Sequence, residues 1–455
     1  MNQYIRSLTL TLSIFIPLTF INVSESSELS EAKITLNDLY LFDEISSIDV
    51  SHSAKQIAYS VSSVDEKKDR YRNDIWLLDV NKNKKKVLIK GRPWVGKTKF
   101  SPDDTLVGYL APGRGHYSEY QQIWTINTNY RTKRQLTKLK ANINDFEWSP
   151  DGTQMILVAD SISVDKKTKS SVQTQKPIVI DRYYFKEDGK EFLGDERQHL
   201  HLLDIKSRTT KQLTKGTSNE ILPSWSPDSK KIAYVTKTGE MDRTNNYDVY
   251  VLEIDSTNNP IQLTTNLGAD SSSSRPQWSP DGKKIAYLHG GDPALLWYAL
   301  QELAVIDLDT KINSILTKEL DRNVSSPQWS DDGQSIYFVI EDNMKSQLAK
   351  YSLTNQKIKK ITPSNYYISG WAKNYVVRNG KIGLILSNTN SPDEVYFYDE
   401  NSLSQQSHHN SELLSSRKIL KTETISFKAA DGEELFGMMI KPDNFDPSKQ
   451  YPLII

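Results

Sequence analysis

The 455-residue chain contains no cysteine. That single absence removes disulfides, thiolate metal sites, a cysteine nucleophile and a lipidated N-terminal cysteine. Whatever folds here must hold by packing and polar contacts. Excess charge is absent too: 57 Lys and Arg balance 57 Asp and Glu, which argues against a surface built to bind nucleic acid. Only seven histidines occur, and the pair His199 and His201 has no third ligand at a supporting spacing, so no metal or other cofactor is expected. No apolar run reaches the roughly 20 residues of a membrane-spanning helix. The longest uncharged one is Leu8 to Ile21, with Pro17 inside it. Arg6 precedes this run and Ser24-Glu25-Ser26-Ser27 follows, which completes the three parts of an export signal. Residues 1–26 are therefore expected to be a signal peptide and 27–47 an N-terminal segment. The protein is expected to be exported, periplasmic or secreted, with no membrane span beyond the signal; an uncleaved anchor is the alternative.

Repetition and aromatic residues are what the chain has in plenty. Five segments carry one phrase: Phe100-Ser-Pro-Asp-Asp, Trp148-Ser-Pro-Asp-Gly, Trp225-Ser-Pro-Asp-Ser, Trp278-Ser-Pro-Asp-Gly and Trp329-Ser-Asp-Asp-Gly, with spacings of 48, 77, 53 and 51 residues. Each phrase runs into a β-type apolar stretch such as Lys231-Ile-Ala-Tyr-Val235, then a second such as Val249-Tyr-Val-Leu-Glu253. A closing phrase follows, Gln135-Leu-Thr137, Gln212-Leu-Thr214 or Gln262-Leu-Thr264. A period of about 40–50 residues with four strand-like pieces is the signature of a propeller blade. Proline fixes φ at the first turn position, glycine permits positive φ where the hairpin closes, and aspartate accepts from the turn's own N–H groups. The leading Trp or Phe fills the gap between adjacent twisted sheets. Ser-Pro-Asp-Gly is thus architectural rather than a catalytic aspartate motif.

Weaker copies start at Val50, ahead of Ile57-Ala-Tyr59, and at Trp371, ahead of Lys381-Ile-Gly-Leu-Ile-Leu386. The fold class expected is all-β, a β-propeller of seven blades over residues 48–400. An eight-bladed ring is the alternative if the stretched third repeat holds an extra blade.

That stretched repeat is where recognition could sit, since an insertion on a rigid scaffold is a common place for it. Asp165 to Lys176 reads as an exposed loop, Pro177 to Phe185 as a strand, and Lys186-Glu-Asp-Gly189 as a turn. Arg182 could meet a peptide carboxylate or carbonyl, with Tyr183 and Tyr184 as an apolar wall. A structural ion pair of Arg182 with Asp181 or Asp195 is the plainer reading. Other features resemble active-site motifs only on paper. His289-Gly-Gly291 looks like an oxyanion loop, but it directly follows a blade strand and reads as a turn. His199 and His201 read as partly exposed strand residues, and Lys84-Lys-Lys86 as a solvated hairpin tip. Gly216-Thr-Ser-Asn-Glu220 fails as a nucleophile elbow at its last position.

Residues 401–420, rich in Ser, Gln, His and Asn, read as a linker. After them come Glu423-Thr-Ile-Ser-Phe-Lys-Ala-Ala-Asp-Gly432, Leu435-Phe-Gly-Met-Met-Ile-Lys-Pro442 and Tyr451-Pro-Leu-Ile-Ile455. This pattern resembles the opening of the α/β-hydrolase domain in the prolyl oligopeptidase family of serine peptidases, and the repeats resemble that family's N-terminal propeller. Pro177 to Leu203 is most similar to the acylaminoacyl-peptidase and dipeptidyl-peptidase-five branch. The blades alone are shared with TolB-like propellers.

The resemblance implies a propeller that covers a peptidase active site and filters peptide substrates by size. In that family a Ser-His-Asp triad does the chemistry. None of its residues falls on this sequence, so no catalytic residue is assigned. With 421–455 as the incomplete start of the hydrolase domain, the chain alone is expected to be inactive. Glu433-Glu434 lies outside the propeller and does not match the family's paired-glutamate amine clamp. A stand-alone, protein-binding propeller is the alternative from another class, and a propeller-type polysaccharide lyase a third that would need a histidine metal site.

Overall fold

The computed structural model describes residues 32–161, 179–180, 182–188, 191–194, 196–239, 243–256, 259–369, 375–399 and 402–455. Seven antiparallel sheets follow one another along the chain, six of four strands and a last one of five. The ring is seven-bladed. Among the described residues the stretched third repeat adds no eighth blade: within it Lys186–Glu187 pairs with Glu191–Phe192 as a two-stranded ribbon. The strand expected over 177–185 is absent from its described part, where Arg182 to Tyr184 bend.

The second strand of each blade shows why the repeats are so apolar. In Lys231–Lys237 and Gln154–Asp160 the five central residues are all buried, because neighbouring blades cover both faces of a middle strand. Alternation disappears and a continuous apolar run replaces it.

The recurring phrases are hydrogen-bond devices. In the turn after the inner strand of the second to sixth blades, the serine hydroxyl donates to the aspartate two residues on, at 2.5–2.6 Å, from Ser101 to Asp103 through Ser330 to Asp332. The same hydroxyl accepts from the backbone five residues on. The turn glycine then seats on its neighbour's proline. Cβ positions built on Gly152, Gly282 and Gly333 fall 3.6 Å from Pro102, Pro227 and Pro280. The leading tryptophans staple blade to blade: Trp148, Trp225, Trp278 and Trp329 donate from Nε1 to Lys99, Glu147, Ser224 and Gln277 carbonyls at 3.0–3.3 Å. The closing phrase is a clasp. Thr137, Thr214 and Thr264 accept from the third strand's Ile123, Leu200 and Val249 N–H at 2.9–3.0 Å. Each clasp glutamine donates to the backbone carbonyl of its own threonine.

Two parts of the last blade depart from expectation. Trp371 lies outside the described residues. Tyr375 acts as that blade's staple, donating from Oη to the Ser326 carbonyl at 2.5 Å. Its hairpin closes through Asn379-Gly380 with φ of +49° and +70°, the signs of a type I′ turn. The outer strand, Ser402–Gln405, lies within the stretch read as a linker. There Gln405-Gln-Ser407 repeats the clasp with serine in place of threonine: Val395 N–H donates to Ser407 at 2.7 Å. The first inner strand likewise starts early, at Glu44.

Among the described residues no strand is exchanged between the first and last blades; each is built from one consecutive stretch. The seam closes by packing of Ile48, Val50 and Ile57 against Val376, Ile385 and Phe397. Gly383 is required there, since a Cβ would fall 2.5 Å from Val50. Polar contacts finish the seam: Asn410 donates to the Asp43 carbonyl and accepts from the Asp43 N–H. Ala32–Lys33 pairs in parallel with Arg417–Lys418. A separate hairpin, Thr422–Lys428 with Glu434–Ile440, follows.

Candidate functional site

Strand direction sorts the connections onto two faces of the ring. Inner strands begin on one face and end at the Ser-Pro-Asp turns on the other. The N-terminal segment, the stretch after the last clasp and the inserted third repeat (between Gln154–Asp160 and Gln198–Asp204) all meet the ring where inner strands begin. We call this the loop face.

Five inner strands break register shortly after their start, at Ile45/Ser47, Gly96/Thr98, Ile143/Asp145, Ile221/Ser224 and Ser325/Gln328. A bulge re-aims the side chain it inserts, and Ser46, Lys97, Asn144, Leu222 and Ser326 all line the axial channel. Lys97, Leu222 and Ser326 take positive φ, +41°, +53° and +54°. Such strain in non-glycine residues persists only where surrounding structure enforces it. The channel encloses about 1040 Å³.

Three blades contribute to one cluster of charges in that channel. Lys97 pairs with Asp145 and, at 3.2 Å, with Glu147, while Lys99 reaches Glu147 at 3.4 Å. From the fifth blade Arg275 crosses the fourth, donating to the Pro223 carbonyl. It meets Asp145 at 2.7 Å and Glu147 at 3.2 Å. Burial, with Arg275 next, holds the Lys97 ammonium well below the usual lysine range. Burial alone would raise Glu147, but Arg275, Lys99 and Lys97 outweigh it and hold that carboxyl well below its ordinary value.

This cluster was missed in the sequence, although a signal exists. Lys97 and Lys99 stand three and one residues before Phe100. Asp145 and Glu147 stand at the same offsets before Trp148, and Arg275 three before Trp278. Those offsets share one strand face, and the equivalent residues before Trp225 and Trp329 also line the channel.

On the inserted repeat, Arg182 donates from Nη1 to the Gly194 carbonyl at 2.9 Å. Asp181 and Asp195 lie outside the described residues. Tyr183 and Tyr184 are 70% and 53% exposed. The Arg243 guanidinium lies 5.2 Å from the Tyr183 ring centre. Tyr184 neighbours Tyr247, whose hydroxyl is pushed up by burial and by Tyr184. Val179, Ile180, Phe185 and Phe192 are also exposed, the two phenylalanines stacked with centres 6.4 Å apart. The predicted trio thus sits in an apolar, solvent-facing patch.

His289-Gly-Gly291 is a packing corner. A Cβ on Gly290 would fall 2.3 Å from the Ala269 nitrogen, and one on Gly291 2.9 Å from the Leu300 oxygen. The Gly290 N–H donates to buried Asp270 at 2.8 Å. His199 is a correction to the expectation of partial exposure. It is buried and its Nδ1 lies 2.7 Å from buried Glu220 of the next blade, which also accepts from Thr214. His201, on the same strand face, is pushed down to about 4 by burial and by His199. Among the described residues no group of three or more His, Asp or Glu could hold a metal ion.

Comparison with known proteins finds similar sequences and similar propellers. The chain is 28% identical over 243 residues to dipeptidyl-peptidase 5 of Porphyromonas gingivalis, covering 51% of this chain and 34% of that one. To the Porphyromonas endodontalis enzyme of the same name it is 24% identical over its whole length, spanning 67% of the relative. Its homologues include proteins named dipeptidyl-peptidase 5 and the uncharacterized peptidase YuxL of Bacillus subtilis. An acylaminoacyl peptidase in complex with Z-Gly-Gly-Phe-chloromethyl ketone superposes with a TM-score of 0.72 at 16% identity, over 91% of this chain and 60% of that one. The β-propeller domain of the Trilobed protease from Pyrococcus furiosus, described as having an open velcro topology, superposes with a TM-score of 0.57 at 16% identity, over 81% of this chain and 97% of that one. No family profile matches. The dipeptidyl-peptidase 5 homologues are longer than the parts matched here, so this chain carries a peptidase-family propeller and spans a third to two thirds of their length.

Proposed function

We propose that this chain is the substrate-gating propeller of an exported, prolyl-oligopeptidase-type serine peptidase that acts on peptides. In this reading Arg182, Tyr183 and Tyr184 receive part of the peptide, the channel mouth limits what reaches the active site, and the triad is supplied by residues other than these 455. The observation that carries it is the convergence on the loop face. The bulged mouth of the channel, the aromatic insertion and the stretch leading into the Thr422–Ile440 hairpin all open there. Arg182 suits a peptide carbonyl or carboxylate because a guanidinium presents planar, forked donors. The tyrosines suit a short apolar side chain because they offer large contact area at low entropic cost.

The test is hydrolysis of short peptide amides by the purified 455-residue chain. None is expected. Cleavage abolished by a serine-reactive inhibitor would overturn the assignment of the chemistry to residues outside this chain.

A further inference from the structure

Through Arg275 the five-charge cluster joins the third and fifth blades, which are not neighbours in the ring. Arg275 spans from the fifth blade to the third, and Lys97 and Lys99 reach the third from the second. Inner-strand neighbours are already joined by packing and tryptophan staples, so this set is not needed to hold adjacent blades. Lys97 is moreover kept at positive φ, a conformation that a non-glycine residue holds only where surrounding structure enforces it. The bulge that imposes it is also what turns the side chain into the channel.

We propose that Arg275, Lys97, Lys99, Asp145 and Glu147 form a bolt across the channel that sets the width through which a peptide chain can thread the ring. Arg275 is the moving part. It holds the Pro223 carbonyl and two carboxylates at once, and on leaving it exposes a balanced set of two lysines and two acids. The geometry is reversible, since all five side chains are 17–26% exposed and water can replace each partner. The purpose of the bolt rests on the peptide-gating reading, but its existence can be tested without any peptide.

The absence of cysteine gives a clean background. Gln277 lines the channel two residues after Arg275, on the same strand face, and is half-buried rather than buried. The thiol introduced by Gln277→Cys is reacted with a small maleimide and with a polymer-linked one. With the bolt intact the bulky reagent should react at least tenfold more slowly than the small one. Adding Arg275→Met should remove most of that difference, while a thiol placed by Tyr130→Cys on the opposite face keeps its rates. If Arg275→Met does not fold, Arg275→Lys takes its place; it keeps the charge, loses the fork and should give a smaller acceleration. Unchanged discrimination between the reagents in a folded Arg275 variant overturns the bolt. Acceleration in a protein that binds no peptide keeps the bolt and sinks the gating reading; peptide binding without acceleration does the reverse.

Discussion

Arg417 donates from Nε and Nη2 to both carboxylate oxygens of Asp38, at 3.0 and 2.7 Å, across 379 positions of sequence. Hydrogen bonds from Arg417 first, and from the Thr35 backbone next, hold the Asp38 carboxyl well below its ordinary value. A carboxylate whose folded pKa is depressed adds stability that is present above its unfolded pKa and is lost as pH falls through the folded one. Asp38→Asn should therefore lower the melting temperature at neutral pH. The gap to the unmutated chain should narrow below about pH 4, where an unfolded aspartate takes up its proton. Melting followed by circular dichroism from pH 7 to pH 3 checks both halves.

The tryptophan staples should be worth more as volume than as hydrogen bonds. Trp278 is buried and donates to the Ser224 carbonyl at 3.2 Å. Trp278→Phe should cost about 1 kcal/mol, the net value of one hydrogen bond, and Trp278→Ala about 3–5 kcal/mol. Urea midpoints for the two variants measure the difference.

Gly290 and Gly380 should respond differently to alanine. At Gly290 the added methyl meets backbone at 2.3 Å, whereas at Gly380 nothing lies within 4 Å and only the φ of +70° opposes it. Gly290→Ala should cost about 1–3 kcal/mol or more through overpacking. Gly380→Ala should cost only about 1 kcal/mol. Equal losses by thermal melting would contradict the packing account of His289-Gly-Gly291.

His201 should stay neutral well into acid. Its folded pKa of about 4 lies below the unfolded histidine value. Its contribution is thus complete above about pH 6.5 and declines as pH falls toward 4. Ring-proton chemical shifts against pH should place its midpoint well under about 6.5, the value of an unperturbed histidine.

The blade count, the turn phrase and the glutamine–threonine clasp were legible because each is local. A serine, an aspartate and a backbone N–H five residues away settle their own geometry. What stayed hidden needed two blades at once. His199 looks like a half-exposed strand residue until Glu220 arrives from the next sheet. The channel charges make sense only when Lys97, Asp145 and Arg275 are seen at one offset in three repeats. The last outer strand was hidden by composition, since its polar residues resemble a linker and its clasp uses Ser407. At the insertion, residue types suggested a recognition surface. The strand expected there found no partner edge over its described residues.

The most direct test of the account is equilibrium binding of a short peptide to the 455-residue chain, read by tryptophan fluorescence. The account predicts saturable binding that Arg182→Ala, Tyr183→Ala and Tyr184→Ala together weaken at least tenfold, with the melting temperature unchanged. Peptide affinity equal in the unmutated chain and the triple variant would contradict it.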